Sequence, residues 1–178
     1  MEYELLGWPP DGPKLRLDYE RFSYAGKFVM SSTGKAVARV DGDVVAAVAF
    51  NEDRTDETTL WLRYITVRAD RRGEGIGPRL AAFSRDRALE RGYDHVRIAV
   101  NNVFAYEALY RAGFGYTGET TGIAELILEY SPDSGPSRPD PGRYHDGLDE
   151  FRDRDLSEAE QSFLRERRDA DPPSPIGV

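Results

Sequence analysis

Apolar and polar positions along the chain alternate in twos over several short stretches and switch to a three-and-four spacing between them. That is the pattern of strands interleaved with helices. Ala36 to Phe50 predicts two strands meeting at Asp41-Gly42, with Val37, Val44 and Val45 as β-branched residues and Asp-Gly as a hairpin signal. Asn51 to Thr58 is a polar loop, and Leu60 to Val67 predicts a third strand. Ile76, Leu80, Phe83, Ser84 and Ala88 then recur at helical spacing, with Gly92 as the stop. Val96, Ile98 and Val100 alternate with His95, Arg97 and Ala99, as in a strand. Phe104 to Ala112 predicts a second helix closed by Gly113, and Phe114–Glu119 and Ile123–Tyr130 predict a last pair of strands around Thr121-Gly122.

The order β–β–β–α–β–α–β–β over roughly residues 36 to 130 predicts an α/β layer arrangement. Its hairpins make the sheet mixed and mostly antiparallel, flanked by helices. Upstream, Glu2 to Leu6 reads as an edge strand, Gly7 to Pro13 as a turn-rich link, and Leu17 to Met30 as an amphipathic stretch interrupted by Gly26. From Ser131 to Arg143 the composition shifts to Pro, Ser, Gly and Asp, the mark of a linker. Ser157 with Glu160 then forms a capping-box pattern opening a short charged helix to about Arg168. The apolar residues there (Leu148, Phe151, Leu156, Phe163, Leu164) are too few to predict independent stability. The expected organisation is one domain over 1–130 and a Pro-rich linker with a charged, disordered or short-helical polar C-terminal tail over 131–178.

A chain of 178 residues can bury a full single-domain core. It has no cysteine and only two histidines, His95 and His145, which excludes disulfides, thiolate sites and a cysteine nucleophile and argues against any metal centre. Neither a secretory leader nor a bilayer-length apolar run is evident, so the expectation is a soluble cytoplasmic protein without a membrane partner. The net charge of -8 argues against nucleic acid as a partner. Basic residues are unevenly chosen and placed: 21 are arginine and 3 lysine, a bias that suggests a salt-adapted or GC-biased host. Between Arg63 and Arg91 lie eight arginines against four acids, so the most basic stretch is also the one that carries closely spaced glycines.

Those glycines lie in Val67-Arg68-Ala69-Asp70-Arg71-Arg72-Gly73-Glu74-Gly75-Ile76-Gly77, between a strand and a helix. Glycine there lets the backbone turn tightly and approach a ligand, and the free N–H groups of a helix start bind phosphate oxygens. Pro78 sits just inside the helix, where its missing N–H is not needed.

The segment resembles the acyl-CoA-binding motif of the GNAT superfamily, the general-control-related N-acetyltransferases. There an Arg or Gln is followed by x-x-Gly-x-Gly or Ala, matched here by Arg72, Gly75 and Gly77, with Ile76 as the aliphatic residue between. A second segment, Asn102-Val-Phe-Ala-Tyr-Glu-Ala-Leu-Tyr-Arg-Ala-Gly-Phe114, resembles the family's Asn-x-x-Ala-x-x-Leu-Tyr-x-x-x-Gly-Phe, with Asn102, Ala105, Gly113 and Phe114 in register. The resemblance implies that Ile65 and Val67 offer backbone to the pantetheine arm and that Arg72, Gly73, Gly75, Ile76 and Gly77 surround the pyrophosphate. Asn102 contacts the cofactor or caps its helix. Nearby arginines then have the CoA ribose 3′-phosphate to meet. Two positions depart from the family: Ala69 stands where proline is common, and Pro78 removes one amide donor.

The resemblance further implies a tyrosine that protonates the departing CoA thiolate, a role suited to a phenol with pKa about 10. In this register Leu109 falls on that position and Tyr110 one residue later, while Tyr106 lies one turn before Leu109. Tyr110 and Tyr106 are therefore the candidate acids, and packing of helix on sheet is the competing role for both. An acid on the strand before the glycines is common in the family. Here Leu60 to Val67 contains none, with Trp61, Arg63 and Tyr64 instead, so Glu52, Glu57 or a water relay would have to take the amine's proton.

The resulting expectation is transfer of acetyl from acetyl-CoA to a primary amine of a small molecule or peptide by direct attack. The aromatic stretch with Tyr19, Phe22, Tyr24 and Phe28 would shape the acceptor site. A homodimer is left open, as is a non-catalytic acyl-CoA-binding or regulatory module. A dinucleotide site is disfavoured, because Pro78 interrupts the glycine spacing it needs.

Overall fold

Asp41 and Gly42 turn the chain with φ of 52° and 84°, the two left-handed residues that a type I′ hairpin requires. Around them β2 (Gly34–Val40) and β3 (Asp43–Glu52) pair antiparallel. β1 (Glu2–Gly7) adds to β2, and β4 (Thr59–Val67) to β3, both antiparallel. The computed structural model describes residues 1–131 and 141–175. Its further elements are α1 (Ile76–Arg91), β5 (His95–Val100), α2 (Val103–Arg111), β6 (Gly115–Thr120), β7 (Leu126–Tyr130), α3 (Pro141–Arg152) and α4 (Glu158–Glu166), with 3-10 turns at Ala25–Val29 and Ala69–Arg71. The strand order is β1-β2-β3-β4-β5-β7-β6, a mixed α/β fold with a mostly antiparallel sheet flanked by helices. The chain divides within β5 into two compact units, Met1–Val96 and Arg97–Gly177.

In the first unit, β3 is buried on both faces. Val45 to Phe50 are all at most 1% exposed, which is why this strand reads as a continuous apolar run. Ala47 and Ala49 pack with Val37 and Phe28 on one face. Ala46 and Val48 lie opposite Val67 and Ile65 of β4, on the face where Gly77 of α1 approaches. The small residues Ala81, Ala82 and Ala88 of α1 are fully buried and allow close helix–sheet packing. Gly92 ends α1 at φ 112° and donates back to Leu89. Lys35, fully buried in β2, donates to the carbonyls of Met30 (2.5 Å) and Thr33 (2.9 Å), and burial lowers its pKa.

The amphipathic stretch Leu17–Met30 forms turns and one 3-10 helix. Phe22, Ala25 and Phe28 are buried, while Tyr19 and Tyr24 are 81% and 58% exposed. Three inward residues hold a loop here where more would be needed to drive a long helix.

In the second unit, Ile98 and Val100 point inward from β5 as their alternation requires. The last hairpin is shorter than its sequence suggests. Ile123 is 81% exposed, Gly118 sits at φ 90°, and β7 begins at Leu126. α3 was not foreseen, yet Tyr144, Leu148 and Phe151 recur at helical spacing and are at most 1% exposed. Ser157 and Glu160 form the capping box of α4, which buries Leu164. Much of the Pro- and Ser-rich stretch expected as a linker, 132–140, lies outside the described residues. Among the described residues, no helix is long and apolar enough to cross a membrane.

Candidate functional site

The turn from β4 into α1 is built on two left-handed glycines, Gly73 at φ 84° and Gly75 at φ 76°. An L side chain at either would cost about 1–2 kcal/mol. Gly75 is the N-cap of α1 and offers no side chain to satisfy the first turn. Helix geometry therefore leaves the N–H groups of Ile76 and Gly77 without intrahelical partners, at the positive end of the helix dipole. A Cβ on Gly77 would lie 3.5 Å from Val67 Cγ2 and 3.9 Å from Ile65 Cγ2. The loop thus brings Ile65, Val67, Gly73, Gly75, Ile76 and Gly77 together where β4 meets α1.

Arginines brace this turn. Arg72 donates to the Val67 carbonyl (3.3 Å) and the Ser23 hydroxyl (3.1 Å). Arg79 folds back so that Nη1 reaches the carbonyls of Glu74 and Gly75, each at 3.3 Å. Arg68 grips Asp70 at 2.6 and 3.1 Å, holding that carboxyl below its usual range. The Ala69 N–H donates to the Arg21 carbonyl at 2.9 Å, tying the loop to the 17–30 stretch.

The first unit also holds an open cleft of about 540 Å³, walled by Lys27, Met30, Thr33, Asn51, Arg63 and Tyr64 among others. Trp61 donates its indole N–H to Asp53 at 2.6 Å. That bond, followed by the Thr55 N–H, pulls the Asp53 pKa down to about 2. Glu52, also in the cleft, accepts the Tyr93 hydroxyl at 3.1 Å. Arg63 donates Nε to Asn51 at 2.7 Å and lies 5.0 Å from the Trp61 ring. Of the two loop acids named from sequence, Glu52 lines this cleft, while Glu57 is exposed in the turn before β4.

In the second unit, Asn102 caps α2 by accepting the Ala105 N–H at 2.8 Å. Tyr106 is fully buried, donates its hydroxyl to the Tyr144 carbonyl at 2.9 Å, and is shifted upward in pKa by that burial. The Tyr110 ring, 3% exposed, packs 4.7 Å from the Tyr144 ring. Tyr144 donates its own hydroxyl to Glu107 at 3.1 Å, and burial raises its pKa as well. Glu107 in turn receives both prongs of Arg167. Among the described residues, no group of three His, Cys, Asp or Glu side chains could hold a metal ion.

Sequence reasoning missed the cleft's polar lining and the part played by Tyr144. The 144, 148, 151 spacing could have revealed the latter. The cleft leaves no local signal, since strand ends and a loop distant in sequence meet there.

The family model for acetyltransferases of the GNAT family matches residues 2–116. No curated protein matches the chain. Among solved structures, an acetyltransferase from Bacillus subtilis in complex with CoA aligns at 15% identity, covering 72% of this chain and 97% of that one, with a TM-score of 0.56. An N-acetyltransferase from Staphylococcus aureus Mu50 aligns at 20% identity over 56% of this chain and 67% of that one, with a TM-score of 0.50. A ribosomal-protein-alanine N-acetyltransferase from Brucella melitensis aligns at 21% identity over 56% and 68%, again with a TM-score of 0.50. These likenesses are of fold, while the family match spans most of the chain and carries the membership. The chain belongs to the GNAT family of acetyltransferases.

Proposed function

We propose that this protein moves the acetyl group of acetyl-CoA to a primary amine of a small molecule or peptide by direct attack. The observation that carries this reading is the pair of left-handed glycines, Gly73 and Gly75, opening α1 at the end of β4. Free amides at that helix start, with arginines around them, suit a pyrophosphate. The neighbour from Bacillus subtilis holds CoA. Here Arg72, Gly73, Gly75, Ile76 and Gly77 surround the pyrophosphate, and the β4 backbone at Ile65 and Val67 carries the pantetheine arm.

The amine enters from the cleft beside Arg63 and Tyr64. Asp53, held at about 2, is too weak a base to deprotonate an ammonium. Water in the open cleft takes that proton instead. The neutral amine nitrogen then forms a bond to the thioester carbon, with a strand N–H near Val67 facing the oxyanion. The C–S bond breaks, Tyr110 protonates the CoA thiolate, and the second proton that the nitrogen sheds on becoming an amide restores the Tyr110 phenol through water. We assign that acid role to Tyr110 over Tyr106 because Tyr110 lies one residue from the position of the family's tyrosine, whereas the Tyr106 hydroxyl donates to the Tyr144 carbonyl. Asn102 serves as helix cap and as a cofactor contact at the start of α2.

The absence of any carboxylate from β4 favours one other reading, a non-catalytic acyl-CoA-binding module. The two separate by incubating the folded protein with acetyl-CoA and a panel of primary amines, following thiol release and acetylated product. Amine-dependent release supports the enzyme. Acetyl-CoA binding without turnover of any amine supports the module.

A further inference from the structure

The cleft in the first unit presents three cations, Lys27, Arg54 and Arg63, against two acids, Glu52 and Asp53. Both acids already accept hydrogen bonds, Asp53 from Trp61 and Thr55, and Glu52 from Tyr93. Arg63 differs from several arginines of this acid-rich chain. Arg39, Arg68, Arg87, Arg97 and Arg167 each pair with a carboxylate, whereas Arg63 forms no ion pair among the described residues. Its Nε donates to Asn51 at 2.7 Å and its guanidinium lies 5.0 Å from the Trp61 ring. One of five N–H groups is thereby used and the fork is held in place.

The backbone puts Arg63 there. The β3–β4 register shifts so that Ala49 faces Tyr64 and Phe50 faces Leu62, leaving Arg63 as the extra residue of a bulge. Bulges re-aim side chains. Arg63 is an exposed residue of the cleft lining, where partial desolvation lowers its pKa and the nearby Asp53 carboxylate opposes that shift. Thr33, another lining residue, buries an Oγ1 with no hydrogen-bond partner.

We infer that the acceptor carries a carboxylate and that Arg63 binds it through its guanidinium fork, with Lys27 as a second cation in the cleft. This rests on the acetyltransferase reading above. Arg63 is two residues from Ile65, about 7 Å along a strand, so carboxylate and amine lie only a few bonds apart. The substrate class is the amino acid, not a polyamine or an aminoglycoside-like polycation. In the reaction the ammonium gives one proton to cleft water, its nitrogen bonds to the acetyl carbon, the C–S bond breaks, and the second proton lost by the nitrogen balances the one that the CoA sulfur takes up. The carboxylate remains ionised on Arg63 and forms no bond.

The test uses two pools, the twenty proteinogenic amino acids and the same amino acids as carboxamides. Each is incubated with acetyl-CoA and the full-length protein, and N-acetylated products are read by mass spectrometry. Acetylation of carboxylates at least tenfold over carboxamides is expected. Arg63→Gln is expected to erase that preference through KM while leaving acetyl-CoA binding unchanged by calorimetry, and Arg63→Lys to restore part of it. Equal or better acetylation of the carboxamides overturns the inference, as does acetyl-CoA binding with no acetylation in either pool. A folded protein that fails to bind acetyl-CoA overturns the parent reading instead, and calorimetry distinguishes the two failures.

Discussion

Arg167 and Glu107, sixty residues apart in sequence, meet in a two-pronged ion pair with Nε–Oε1 at 2.7 Å and Nη2–Oε2 at 2.9 Å. The pair fastens the end of α4 to α2, and Glu107 also accepts the Tyr144 hydroxyl from α3. One carboxylate thus gathers three helices of the second unit. Both side chains are largely buried, at 24% and 16% exposure, so the contact is screened less than a surface pair.

Arg167→Leu is accordingly expected to destabilise the protein by about 1–3 kcal/mol, because it strands a mostly buried carboxylate. Urea unfolding measures this. A double-mutant cycle with Glu107→Gln should recover part of the loss, and strictly additive losses would contradict a direct pairing.

Tyr106 and Tyr110 should separate by phenotype. Tyr106→Phe leaves the buried Tyr144 carbonyl short of a donor, so it should cost about 1–2 kcal/mol of stability and leave kcat within about threefold of the parent. Tyr110→Phe should lower kcat by roughly ten- to a hundredfold. Denaturation curves beside steady-state kinetics check both, and a kcat loss confined to Tyr106→Phe would reverse the assignment.

The glycine loop makes a graded prediction. At Gly75, with φ 76°, alanine is strained, so Gly75→Ala should cost about 1–2 kcal/mol and weaken acetyl-CoA. At Gly77 a new Cβ meets only ordinary contacts of 3.5 and 3.9 Å. Gly77→Ala should therefore be the milder change in both unfolding and calorimetric measurements.

Asp53 carries a pH signature. Its folded pKa of about 2 lies below the usual carboxylate value, so its ionised form stabilises the fold above about pH 4. That stability is lost as pH falls through 2. Asp53→Asn should thus be less stable than the parent at pH 7, with the gap closing between pH 4 and pH 2. Unfolding followed by Trp61 fluorescence reads it, and a gap that does not change with pH would contradict the assignment.

How much of this was legible depended on how local each signal is. Asp41-Gly42, the Gly92 stop, the strand alternation at Ile98 and Val100 and the Ser157–Glu160 capping box are all encoded within a few residues, and the structure contains each. The Gly73–Gly75 turn was legible for the same reason, since left-handed backbone favours glycine. α3 was obscured because Tyr144, Leu148 and Phe151 are set among charged residues and glycines. Their burial comes from packing on α2 and β6, which no local window reports. The cleft was invisible for a related reason. Asn51 and Arg63 are twelve positions apart, and only the β3–β4 register with its bulge brings them to 2.7 Å.

The central claim is that the β4–α1 glycine turn holds acetyl-CoA, and calorimetric titration tests it most directly. Acetyl-CoA titrated into the folded protein at low and high salt, with NAD and dephospho-CoA as controls, should bind one to one, with NAD silent and dephospho-CoA weaker. Gly75→Val should abolish the heat without unfolding the chain. Absence of acetyl-CoA binding at either salt concentration, from protein shown to be folded, would contradict the account.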